Sequence, residues 1–214
     1  MRSNFSEWTL DKIDDAFGTV QIDNIPELDE LLAFEYEFSD YERRYLTTLA
    51  DKYLHFGGDD WNEVELENKF ISPLIVFADI DNKKFAYFLE RELSGVVGDY
   101  ELSGKVDGMI ATGYRNPRKP FFCLKAGGVP QYKRQTDPNG DPRGQAVIAM
   151  IVGQHHNNDN NPVYGCYIVG KSWHFMVLKG KEYAISNVFV GSDNEIFDIY
   201  RILKGLRVHI ERLI

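Results

Sequence analysis

At 214 residues, with 43% hydrophobic and 14% aromatic side chains, the chain can build one packed domain with a small appendage, which excludes a wholly disordered polypeptide. Its net charge of −9 leaves no overall basic footprint for a nucleic acid, so any phosphate-binding surface has to be local. Two cysteines, Cys123 and Cys166, supply neither a disulfide framework nor zinc-ligand spacing; no apolar run reaches membrane-spanning length, and Met1–Leu10 does not read as a secretion signal, so the expectation is a cytoplasmic protein without a membrane partner.

Residues 1–58 read as an acidic helical extension packed on a core domain spanning 59–214. Leu28, Leu31, Leu32 and Phe34 follow Pro26, and Tyr45, Leu46, Leu49 and Tyr53 recur at helical spacing. Gly57-Gly58 ends that run, and Asp59/Asp60 offer an N-cap for the next helix, about 60–78. There Leu66, Phe70, Leu74 and Phe77 form an apolar face, and Pro73 predicts a kink or an end. Phe85, Phe88 and Leu89 suggest a further helix over Phe85–Leu93.

From Gly95 the period changes to strands. Tyr100–Ser103 and Val106–Thr112 read as short β runs with a bulge or bend at Gly104, and Phe121–Lys125 as a buried strand. Ala126–Arg143 is dense in turn signals. The remaining pattern predicts a helix over Gly144–His155, strands at Val163–Val169, His174–Leu178 and Tyr183–Ile185, and a closing helix over Asn194–Ile214. This order describes an α/β (α+β) domain, a mixed sheet between helices, with a helical N-terminal segment.

Several side chains stand where a metal-dependent phosphodiesterase would want them. Glu63 and Glu67 lie four apart on one helix face, Asp107 sits in a strand beside Gly108, and Lys125 and Lys133 flank the end of the next strand and its loop. Oxygen ligands of this kind hold Mg²⁺, and a nearby lysine can stabilise developing charge. Taken singly each is commonplace: a glutamate pair usually marks a solvated face, Asp-Gly a turn, and a lysine a strand end.

Their order resembles the PD-(D/E)XK, or restriction-endonuclease-like, nuclease superfamily, as an uncharacterised bacterial branch. Asn62–Ile75, with Phe70-Ile71-Ser72-Pro73-Leu74, looks like the family's first helix, with Glu63 the better match for its glutamate and Glu67 one turn on. Gly104-Lys105-Val106-Asp107-Gly108 looks like the strand whose aspartate binds metal, and Pro120–Leu124 like the strand after it. Gly144-Gln145 resembles the start of the next helix, where Gln145 would face the site, and Val163–Leu178 fits the strand pair that follows. The likeness covers about residues 60–185 and implies a restriction-endonuclease-like mixed sheet. It also implies Mg²⁺, with Mn²⁺ as a substitute, held by Glu63, Glu67 and Asp107.

The signature Glu-x-Lys (or Asp-x-Lys) does not occur after Asp107. Two registers come near it. Gln131-Tyr132-Lys133 carries an amide at the acid position, and Cys123-Leu124-Lys125 carries a thiol. Arg115, Lys119, Arg134 and Arg143, with Gln145, form the candidate nucleic-acid-binding set. By contrast His155-His156 suits a helix C-terminus, and Trp173, Tyr164, Tyr167 and Tyr183 suit core and sheet packing. Two readings follow: an Mg²⁺-dependent endo- or exonuclease, or a catalytically degraded nuclease fold that binds nucleic acid or protein. A homodimer is compatible with either.

Overall fold

The computed structural model describes residues 1–127 and 141–214, and the nine strands among these described residues form one mixed sheet. Its spine runs β1 (Arg2–Asn4), β4 (Tyr100–Thr112), β5 (Pro120–Gly127), β6 (Val163–Val169), β7 (Ser172–Lys179), β8 (Glu182–Ile185) and β2 (Val20–Gln21). The long strand β3 (Phe85–Val97) pairs antiparallel with β4, and β9 (Phe189–Val190) pairs with β7. Strands β5 and β6 are parallel, joined by the crossover helix α6 (Pro142–Asn157).

Two apolar clusters lie on the two faces of the sheet. One gathers α2 (Pro26–Leu32), α3 (Asp40–His55), the Leu66–Ala78 helix and α7 (Ile196–Arg212) over Phe122, Leu124, Tyr164 and Phe175. The other packs α1 (Leu10–Phe17) and α6 over Met109, Cys123, Met176 and Leu178. Adjacent strand residues alternate between the clusters, as Cys123 and Leu124 do, because successive strand side chains point to opposite faces. The expected helices flanking a mixed sheet are therefore present. No helix among the described residues is long and apolar enough to cross a membrane.

Several local expectations are corrected. Phe85–Leu93 is part of strand β3 and not a helix. Phe85 and Phe88 imitate helical spacing, yet three positions along a strand place them in opposite clusters. Residues 1–58 are not purely helical, since β1 pairs in parallel with β4 and β2 with β8. Gly104 makes no bend; it pairs regularly with Leu93, and a Cβ there would lie 2.3 Å from the Phe5 ring. Glycine is required at that position by close approach.

The helix bearing Glu63 starts on Asn62, not on Asp59 or Asp60, which sit in a short 3₁₀ turn. Asn62 accepts from the Glu65 N–H while the Glu65 carboxylate accepts from the Asn62 N–H, a reciprocal cap that satisfies two orphan donors. The helix proceeds as α4 (Glu63–Leu66), a π turn (Glu67–Ile71) and α5 (Ser72–Phe77). Pro73 has no N–H for the Lys69 carbonyl, and its ring would collide with that carbonyl in a regular α-helix. The widened turn, with Ser72 N–H donating to the Glu67 carbonyl, absorbs the misfit without breaking the helix.

Candidate metal centre

Asp107 is delivered by an irregularity in the β3–β4 ladder. Leu89 pairs with Gly108 and Arg91 with Val106, while Glu90 and Asp107 drop out of the register. Glu90 takes a left-handed backbone, with φ 55°. Across this point the alternation of β4 shifts by one, so Val106 and Met109, three apart, join the same cluster. Such irregularities re-aim a side chain, and here the one re-aimed is Asp107.

The Asp107 carboxylate is only 5% exposed and both its oxygens are engaged. Lys125 Nζ donates to Oδ1 at 2.5 Å, and the Ala126 backbone N–H donates to Oδ2 at 2.5 Å. Gly108 faces the Tyr87 ring so closely that a Cβ would stand 2.4 Å from its hydroxyl oxygen. The Val-Asp-Gly run thus has a packing reason for its glycine.

Helix α4 and the π turn bring Glu63 and Glu67 to the same point. One carboxylate oxygen from each of Glu63, Glu67 and Asp107 lies within 4.8 Å of the others. Burial, then the charges of Asp107 and Glu63, push the Glu67 carboxyl up to about 7, although Lys125 and Lys105 oppose the shift. Burial, helped by Glu67 and Asp107, also raises the Tyr87 hydroxyl. Lys105 forms an ion pair with Glu90.

This donor set fits a single hard cation. Three carboxylates at such spacing could each offer one oxygen to a hard cation, and a bound cation would offset the burial and the neighbouring charges that raise the Glu67 carboxyl.

No protein-family model matches the chain, and no curated protein matches it either.

Of the residues singled out from the sequence, Glu63, Glu67, Asp107 and Lys125 converge. Gln131, Lys133 and Arg134 lie outside the described residues. Arg115 and Lys119 belong to the β4–β5 turn at the far end of these strands. Lys119 immediately precedes β5, six residues before Lys125 and about 20 Å away at strand rise, and pairs with Asp159 at 2.5 Å. Neither contributes to the carboxylate cluster. Arg143 is exposed in the first turn of α6, its Nε 3.1 Å from Asp141 Oδ1, and Gln145 is half-buried there. Cys123 is fully buried among apolar side chains, where burial pushes its thiol up to about 12, so it offers no ligand.

Sequence reasoning missed two neighbours. Tyr87 was hidden in a stretch with helical spacing. Lys105 stood in plain view two residues before Asp107, and its position signals a second cation beside the acids.

Proposed function

We propose that the protein is a nuclease-like member of the PD-(D/E)XK superfamily that hydrolyses phosphodiester bonds in nucleic acid with a divalent cation, Mg²⁺ or Mn²⁺. The observation that carries this reading is the convergence of Glu63 and Glu67, from one helix, with Asp107 of β4, and of Lys125 on Asp107. In the reaction, water adds to phosphorus and the ester P–O bond breaks, leaving a phosphate monoester and a free hydroxyl. A divalent cation bound there would supply Lewis acidity and a more acidic bound water.

The remaining roles belong to the chain. Glu63, Glu67 and Asp107 are the ligands, and the Ala126 N–H fixes the orientation of the Asp107 carboxylate. Lys125, held at the site by Asp107, offers a proton donor to charge developing on phosphate. The helix acids Glu63 and Glu67 stand in for the carboxylate that β5 lacks. Incubation of plasmid or single-stranded DNA with Mg²⁺ or Mn²⁺, beside an Asp107→Ala control, tests the reading. Cleavage by the wild type alone supports it, and cleavage that survives the substitution removes Asp107 from the mechanism.

A second reading, a degraded nuclease fold acting as a binding module, is favoured by one feature. Both Asp107 oxygens already have internal donors, and β5 presents Cys123 and Ala126 with no acid. It predicts no cleavage and no metal-dependent rise in melting temperature.

A further inference from the structure

A groove of about 410 Å³ runs between α3 and the helix that carries Glu67. Its charged lining residues are Arg44, Lys52 and Lys69, all cations, in a chain whose net charge is −9. Arg44, Thr48 and Lys52 recur every fourth residue of α3, forming one row about 12 Å long at helical rise. Arg44 and Lys52 are exposed, and among the described residues neither forms an ion pair. Lys69 is fixed by Glu65 at 2.6 Å and lies over the Trp61 ring. Tyr41 borders the groove with 63% of its surface exposed, resting edge-on against Phe77.

Two exposed, unpaired cations about 12 Å apart on one helix row, with Lys69 across the groove, give this face of an acidic protein a local positive potential that favours an anion. The row is linear, which suits a repeating anion. The exposed tyrosine ring suits an unstacked base, which a single strand offers and a duplex does not. Lys69 follows Glu67 by two residues and so projects from the other side of the helix, about one helix diameter, roughly 10 Å, from the carboxylates. The groove therefore cannot hold the reacting phosphodiester itself. It can hold the chain that continues from it.

We propose that this groove binds single-stranded nucleic acid, with Arg44, Lys52 and Lys69 on phosphates and Tyr41 stacked on a base; as a substrate track it rests on the phosphodiesterase reading above. The test is fluorescence anisotropy of a labelled oligothymidylate with the full chain in EDTA, where no cation assists. The wild type should bind, more tightly at low salt. Arg44→Glu with Lys52→Glu should weaken binding about tenfold or more, Arg44→Gln alone about threefold, and Tyr41→Ala about fivefold.

The proposal is overturned if the wild type does not bind. It is also overturned if the double variant, with an unchanged melting temperature, binds as tightly. Displacement by a polyglutamate peptide at similar concentration would overturn it too, and would assign the groove to an acidic protein segment. Failure of the metal centre would show separately, as absent cleavage with the anisotropy unaffected.

Discussion

Two partly buried glutamates in this protein have opposite fates. Glu42 caps α3: its carboxylate accepts from the Ser39 N–H and hydroxyl at 2.8 Å, from the Tyr36 hydroxyl at 2.6 Å and from the Tyr200 hydroxyl at 2.9 Å. Burial alone would raise it, but these donors outweigh burial and hold it down to about 2. Glu67 meets no such set of donors. It faces burial and two more carboxylates, and rises to about 7. A carboxylate surrounded by donors keeps its charge, whereas one buried beside other acids takes up a proton more readily.

The contrast breaks most severely at Lys125, the cation between the acids. Lys125→Met should cost about 3 kcal/mol in urea unfolding, because Asp107 stays buried without its charge partner beside two glutamates. Arg115→Met, on the remote turn, should leave stability nearly unchanged and serves as the control.

Next in size is a difference of sign. Glu42→Ala should destabilise by about 2 kcal/mol, as it removes a cap, takes the acceptor from the Tyr36 hydroxyl and leaves the Tyr200 hydroxyl only the longer bond to the Phe77 carbonyl. Glu67→Gln should stabilise the metal-free protein at pH 8, by about 1 kcal/mol, and change little at pH 4. If both substitutions destabilise at pH 8, the comparison fails.

The smallest expected effect is the pH dependence itself. Glu67 has its folded pKa raised, so the unfolded chain gives up that proton first. Its contribution is therefore neutral below the ordinary carboxylate range, and stability falls as pH rises towards about 7. Glu42 behaves oppositely: its contribution is full above that range and is lost as pH falls through about 2. Cation binding requires Glu67 to lose its proton, so the rise in melting temperature with millimolar Mn²⁺ should grow from pH 6 to pH 8. An equal rise at both values would show that Glu67 is no ligand.

Much of the architecture was legible along the chain. The strands β4 to β7 and the helices α6 and α7 follow from runs of apolar residues with clear periods and turn residues between them. Asp107 was legible because its neighbours form a recognisable run. Lys125 was one of two lysines left open, and its contact with Asp107 appears only once β4 and β5 pair, with Gly108 opposite Leu124.

The sequence by itself determined which segments are strands or helices wherever periodicity was unambiguous, and which acids could share a helix face. It misread β3, whose phenylalanines suit a helical period and a two-faced strand equally well. It placed the start of the Glu63 helix too early because three capping residues compete there, and only the reciprocal Asn62–Glu65 bonds decide between them. Tertiary structure alone decided the site. Long-range pairing and the unpaired, left-handed residue at Glu90 turn Asp107 towards Lys125 and the Glu63/Glu67 face, and local sequence holds no record of which partner residues a strand will meet.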